Sequence, residues 1–200
     1  MSHTLTILLG GARSGKSRYA EELAAGFGEH VLYVATAQAG DEEMEARIAA
    51  HRRARPSTWR TIEAPTGVGA AVRERLQVSE ADVVLLDCLT LLVSNAILSG
   101  VTEDTLDDVD ESKARDRVAA ELDGLLDAYR ASNLPWIIVT NEVGWGLVPP
   151  YPLGRVYRDL LGWANQRLAA EANRVYLMVA GLAVDVKALG EATAGRGDHG

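Results

Sequence analysis

The chain has one cysteine, Cys88, among its 200 residues. No intramolecular disulfide is available, which fits a reducing compartment and leaves stability to packing. Positive charge is also scarce: 20 lysines and arginines face 28 acidic residues, a formal net charge of -8. Nucleic-acid binders ordinarily show a basic face or domain, so that class is disfavoured, although a local arginine cluster can still hold a small anion. No apolar run approaches the roughly 20 residues of a membrane helix. The opening Met1–Gly10 lacks a cationic leader and a cleavage site and enters a strand pattern at once. These absences lead to the expectation of a cytoplasmic protein with no membrane span and no nucleic-acid partner.

What is present suits a globular domain: 48% hydrophobic and 24% charged residues, with no repeat, low-complexity stretch or dividing linker. The length is enough for one core without metals or disulfides. Short apolar runs alternate with longer amphipathic stretches. Leu5–Leu9, His30–Ala35, Val83–Asp87, Trp136–Thr140 and Val175–Ala180 read as strands, apolar at nearly every position, as strands buried on both faces must be. Ser17–Ala25, Asp41–Arg53, Gly67–Leu76, Asp116–Ala131 and Leu153–Asn173 read as helices, and Trp59–Ile62 as a further short strand. The alternation predicts an α/β fold, a mostly parallel sheet with helices on both faces in a single domain. Such a sheet binds ligands at the carboxyl ends of its strands. The domain is expected over residues 1–187, followed by a loosely held tail, 188–200, of Ala, Gly and polar residues. Gly100–Glu111 is acidic with few apolar anchors and reads as a solvated or mobile connection, a metal site being the alternative. Cys88, inside the apolar run Val83–Leu92, reads as a buried structural thiol.

Gly10-Gly11-Ala12-Arg13-Ser14-Gly15-Lys16-Ser17 satisfies the phosphate-loop pattern G-x-x-x-x-G-K-[S/T] between a strand and a helix. Glycines at 10, 11 and 15 allow successive N–H groups to turn toward phosphate oxygens. The helix start adds the positive end of its dipole. Lys16 is then placed to neutralise the outer phosphates and Ser17 to give a hydroxyl to Mg²⁺. Asp87, at the end of Val83–Asp87, is where such a protein keeps an acidic partner for metal or nucleotide; a capping or turn aspartate is the plainer reading. The loop predicts a P-loop NTPase-like fold and a bound nucleoside triphosphate, but not which reaction follows.

The stretch 41–56 has acidic residues in its first turn and basic ones in its last, complementing a helix dipole. Met44, Ile48 and His51 share one face, with Arg52, Arg53 and Arg55 around the histidine. His51 lacks a chelating neighbour, which argues against a metal ligand. Neighbouring cations favour a neutral imidazole, able to attack phosphorus, while the arginines bind phosphate. A histidine on a basic, solvated helix end fits the same residues, and the two readings stand level at this point.

The wider pattern resembles the bifunctional adenosylcobinamide kinase / adenosylcobinamide-phosphate guanylyltransferase family. The likeness is carried by Gly10 through Ser17, Leu32-Tyr-Val-Ala-Thr-Ala37, Asp41-Glu-Glu-Met44 and Arg47-Ile48 with His51. Trp59 through Glu63, Leu86-Asp-Cys-Leu-Thr90, Val93-Ser-Asn95 and Thr140-Asn-Glu-Val-Gly144 continue it, with Gly146-Leu-Val-Pro149 after them. Arg155, Arg158-Asp159, Asn165-Gln-Arg-Leu168 and Val179-Ala-Gly181 through Lys187 complete it, so the likeness spans residues 5 to 187. The resemblance implies two reactions of cobalamin biosynthesis. ATP or GTP phosphorylates the aminopropanol arm of adenosylcobinamide, and GMP then passes from GTP to adenosylcobinamide phosphate, releasing pyrophosphate. It also implies a covalent guanylyl adduct on His51 and nucleotide contacts from Gly10 through Ser17, Ala35, Thr36, Ala37, Arg52, Arg53, Ala54, Arg55, Glu63 and Asp87. A homotrimer is implied as well.

Asn141 and Glu142 follow the apolar strand Trp136–Thr140, so they belong at the ligand-bearing edge, either positioning phosphate or corrinoid or serving as turn residues. Trp145, Pro149, Pro150 and Tyr151 offer an apolar surface to a corrin ring or a second subunit, or simply pack the loop. The competing functions are a kinase in which His51 is only a phosphate-site residue, a guanylyltransferase without kinase activity, and a nucleotide-binding regulatory protein.

Overall fold

The computed structural model describes residues 3–38, 55–102 and 108–194. Its strands are β1 Leu5–Gly10, β2 Val31–Ala35, β3 Arg60–Glu63, β4 Val83–Asp87, β5 Trp136–Asn141, β6 Arg174–Val179 and β7 Leu182–Asp185. Alternate residues of the central strands enter opposite cores. Val84, Leu86, Trp136 and Ile138 lie in one, and Val83, Leu85, Ile137 and Val139 in the other. A strand covered on both faces has no polar side, which is why these runs read as continuous apolar segments.

The helices are α1 Lys16–Ala25, α2 Val68–Val78, α3 Leu89–Leu98, α4 Glu111–Ser132, α5 Pro152–Glu171 and α6 Val186–Ala194. α1 packs Ala20 and Ala24 on the smaller core beside Tyr33. α2 through α5 cover the larger one, with Val72, Leu92, Leu125 and Leu161 fully buried there. α2 and α4 cross at glycines: a Cβ on Gly69 would come within 1.9 Å of the Gly124 carbonyl oxygen.

The strands form one sheet in the order β3-β2-β4-β5-β1-β6-β7. Every neighbouring pair is parallel except β6 and β7. A mostly parallel sheet with helices on both faces is therefore present, as the alternation predicts. The carboxyl ends of β3, β2, β4, β5, β1 and β6 share one edge.

Three departures from the sequence reading have physical reasons. α3 stands where the sequence reads as the single apolar run Val83–Leu92; Leu89, Leu92, Val93, Ala96 and Ile97 are all buried against sheet and helices. A helix enclosed on most sides loses the polar stripe that marks amphipathic periodicity. β3 starts one residue later than expected, which puts Glu63 on its last position. Beyond Lys187, where a tail was expected, the backbone stays helical to Ala194. Lys187 Nζ donates to the carbonyls of Ala169 and Ala172, satisfying acceptors that the end of α5 leaves open. Arg117 serves α3 in the same way, with Nε 3.0 Å from Ala96 O.

Of the acidic stretch, residues 103–107 lie outside the described residues. Asp110, at its end, caps α4, its Oδ1 accepting the Lys113 N–H at 3.1 Å.

Candidate active site

β1 ends at Gly10 and α1 begins at Lys16, so the loop between them lies on the carboxyl edge of the sheet. A Cβ at Gly10 would stand 2.6 Å from the Met178 carbonyl oxygen and 2.9 Å from Ser14 Oγ. Only glycine allows β1 and β6 to close there. Gly15 caps α1 in the left-handed region, with φ 95°, and a Cβ on it would lie 3.2 Å from Gly181 Cα. Gly181, in the turn from β6 to β7, donates its N–H to Ser14 O at 3.0 Å. The phosphate loop is thus braced from behind by that turn.

Gly11, Ala12 and Arg13 form the exposed rim, and Ser14, Gly15 and Ser17 are half-buried. Lys16 is 7% exposed and its ammonium donates to Gly11 O at 2.6 Å. Burial pushes its pKa down, while Cys88 and Asp87 pull the other way. The Ser14 hydroxyl is buried and has no hydrogen-bond partner among the described residues. An orphaned buried hydroxyl in the turn between a strand and a helix is what an anionic oxygen would satisfy.

Asp87 ends β4, separated from β1 only by β5. It accepts a hydrogen bond from Tyr33 Oη at 2.9 Å. Burial, with Asp87 next in weight, pushes the Tyr33 pKa far up, so the phenol stays a donor. The Arg55 guanidinium lies 3.3 Å above the Tyr33 ring and its Nε is 3.8 Å from Glu21 Oε1 of α1. With a side chain 9% exposed, Arg55 is pinned between α1 and β2.

Thr36 is fully buried one residue past β2. Its Oγ1 donates to Cys88 O at 2.7 Å and accepts from Cys88 N at 2.9 Å. Asn95 Nδ2 donates to Thr36 O and to Pro65 O, each at 2.9 Å. Ala35 O accepts the Ala64 N–H at 2.9 Å. The ends of β2, β3 and β4 and the side of α3 are knotted together here, with Ala37 leading out from the knot. Cys88 is half-buried and free; burial and then Asp87 raise its thiol pKa, which keeps it protonated.

Gly10 through Ser17, Thr36 and Asp87 are thus brought to one edge. Glu63 ends β3, four strand positions from β1. At about 4.8 Å per strand that is roughly 19 Å, so a nucleotide touching both must lie extended across the ends of β5, β4 and β2. His51, Arg52, Arg53 and Ala54 lie outside the described residues. The neighbouring described residues are Gln38, just after the Thr36 knot, and Arg55.

Sequence alone does not mark Tyr33 as a site residue. Its only signal is an aromatic hydroxyl in an otherwise apolar strand, and its partners lie 54 and 22 residues away. Asn141 and Glu142 do reach the edge. Asn141 N donates to Thr90 Oγ1 at 2.8 Å, and Glu142 N donates to Gly10 O at 3.1 Å. Beyond them Val143 packs against the larger core, whereas Trp145 is 78% exposed and Leu147 97%.

Residues 6–186 match the family described as cobinamide kinase / cobinamide phosphate guanyltransferase. The "Bifunctional adenosylcobalamin biosynthesis protein CobU" of Escherichia coli (strain K12) is 41% identical over 183 residues, 92% of this chain and 99% of the relative. The "Bifunctional adenosylcobalamin biosynthesis protein CobP" of Pseudomonas aeruginosa is 43% identical over 181 residues, 90% of this chain and 96% of the relative. The solved structure of the flagellar accessory protein FlaH from Methanocaldococcus jannaschii aligns with a TM-score of 0.44 at 18% identity, covering 88% of this chain and 71% of that one.

Proposed function

The chain belongs to the cobinamide kinase / cobinamide phosphate guanyltransferase family, and from that premise we propose how its own residues carry out the two reactions. It is a bifunctional enzyme of adenosylcobalamin biosynthesis that uses nucleoside triphosphates, phosphorylating adenosylcobinamide and guanylylating the product. The observation that carries the residue assignment is the loop itself: a buried Lys16 ammonium and an orphaned Ser14 hydroxyl inside a strand-to-helix turn, one strand from Asp87.

Triphosphate oxygens replace Gly11 O as the partner of Lys16 and occupy the backbone N–H groups of residues 11 to 17. The Ser17 hydroxyl and the Asp87 carboxylate are hard oxygen donors, and the Asp87 charge is near enough to Lys16 to oppose the downward pull of burial on its pKa; together they fit Mg²⁺. Bound there, Mg²⁺ supplies charge neutralisation to the phosphates. Tyr33 fixes one Asp87 oxygen and leaves the other to that role. ATP or GTP serves as phosphoryl donor and GTP as guanylyl donor.

In the second reaction the His51 imidazole attacks the α-phosphorus of GTP. The α–β bridging bond breaks and its electron pair leaves on pyrophosphate. The phosphate of adenosylcobinamide phosphate then attacks the same phosphorus, the P–N bond breaks, and the imidazole is restored. A displacement between two anions is thereby split into two steps with one partner already held. Arg52 and Arg53 bind phosphate around the adduct, Arg55 anchors the end of their segment between α1 and β2, and Ala35, Thr36 and Ala37 give the nucleotide a rigid backbone edge. A cytoplasmic setting and a homotrimer belong to the same proposal; among the described residues no helix is long and apolar enough to cross a membrane.

With ATP, GTP, Mg²⁺ and adenosylcobinamide, the phosphate ester forms first, followed by adenosylcobinamide-GDP and one pyrophosphate per product, read by chromatography. Products that stop at the phosphate ester would establish a monofunctional kinase. Nucleotide consumption indifferent to corrinoid would leave a regulatory protein.

Glu63 is assigned to guanine, whose N1–H and N2–H a carboxylate accepts together and adenine does not offer. In Glu63→Gln one of those acceptors becomes a donor. Preference for GTP over ATP in the guanylyl step falls about tenfold or more, the worth of one charge-assisted hydrogen bond. Competition between the two nucleotides measures it, and unchanged discrimination removes Glu63 from base recognition.

A further inference from the structure

The acceptor in the kinase step is an alcohol, and an alcohol that bonds to phosphorus must give up a proton. A group at the mouth of the phosphate loop has to take it. Among the described residues three carboxylates end strands at the carboxyl edge: Glu63, Asp87 and, one residue past β5, Glu142. Glu63 is on the far strand, roughly 19 Å from β1 by strand spacing. Asp87 is held by the Tyr33 phenol and, on the reading above, faces the metal.

Glu142 is differently placed. Parallel pairing sets Gly10 opposite Asn141, so the next residue falls beside the first glycine of the loop, and the Glu142 N–H donates to Gly10 O at 3.1 Å. One carboxylate oxygen, Oε1, accepts the Gly144 N–H and is held in a tight turn by it. No cation among the described residues forms an ion pair with the carboxylate. A half-buried carboxylate, oriented through one oxygen by a neutral N–H, is equipped to accept a proton rather than to anchor a salt bridge. The exposed Trp145 and Leu147 follow in the same loop and give a broad apolar acceptor a surface beside it.

We propose that Glu142 is the general base of the phosphoryl step, an inference that rests on the kinase reading above. The hydroxyl oxygen of the aminopropanol arm forms a bond to the γ-phosphorus. The bond from that phosphorus to the β–γ bridging oxygen breaks, and its electron pair leaves on the nucleoside diphosphate. The hydroxyl proton passes to the Glu142 carboxylate and from there to solvent.

The second reaction provides a discriminating control, because its acceptor is a phosphate that already offers an anionic oxygen and needs no base to attack. Glu142→Gln keeps an oxygen for the Gly144 N–H but removes the base. Kinase turnover with ATP, Mg²⁺ and adenosylcobinamide falls about 100-fold or more, with KM for ATP little changed. The acid limb of its pH–rate profile disappears with it. Transfer of GMP from GTP to preformed adenosylcobinamide phosphate falls less than about threefold, and Glu142→Asp recovers part of the kinase rate. Equal losses in the two reactions would make Glu142 structural, and a kinase loss under about fivefold would assign the base elsewhere; either overturns the proposal. A wild-type enzyme that transfers GMP but never phosphorylates adenosylcobinamide would overturn the kinase reading and this inference together.

Discussion

Replacing Lys16 with methionine lowers both the phosphoryl and the guanylyl turnover by about 10²–10³-fold, the range seen when one preorganised donor to a developing charge is removed. The substitution nearly preserves length and volume and deletes only the charge. Lys16 is 7% exposed and its ammonium donates to Gly11 O at 2.6 Å. Burying a cation costs free energy, seen in its lowered pKa, and that cost is recovered when triphosphate oxygens surround it. The neutral side chain escapes the cost and loses one hydrogen bond, so the melting temperature moves by only a few degrees (a net change of about 1 kcal/mol). Steady-state assays of both reactions, with a thermal melt as control, check the prediction. On the proposed reading one phosphate loop serves both steps, so both rates are expected to fall. A variant that keeps GMP transfer while losing the kinase would place the guanylyl donor in a second triphosphate site.

How far the sequence reveals this site depends on how local each signal is. The loop Gly10–Ser17 and the strand before it are contiguous, and their pattern alone predicts a turn that the structure places between β1 and α1. Asp87 is as plain, because a carboxylate ending a run of four apolar residues marks a strand leaving the core. Glu142 also lies at the end of an apolar strand, but its meaning depends on strand order. Only when β5 is known to lie between β4 and β1 does it become a neighbour of the phosphate loop. Nothing in a linear sequence states that order. Arg55 joins Tyr33 of β2 to Glu21 of α1, another non-local event, and α3 is hidden because burial on most sides removes the polar stripe that marks periodicity. His51 is different again. Its chemistry is readable from the arginines around it, but the choice between nucleophile and solvated helix end came from the family pattern.

The second large effect belongs to that histidine. Incubated with GTP labelled at the α-phosphate and Mg²⁺, without corrinoid, the wild-type protein retains label after denaturation and His51→Ala retains none. The retained label is lost in acid and stable in alkali, because protonation of a phosphoramidate nitrogen turns it into a good leaving group. GMP transfer in the variant falls about 10³-fold or more, since no other group is positioned to form the first bond. Phosphorylation of adenosylcobinamide stays within about tenfold, because that step is a direct displacement needing the phosphate loop, Asp87 and a base, but no covalent intermediate. The pattern is the inverse of that expected for Glu142→Gln, in which the kinase is lost and transfer remains. Opposite losses from two residues cannot come from a general weakening of the fold, which would lower both rates in both variants. Label retained by His51→Ala would put the nucleophile on another side chain and return His51 to phosphate binding.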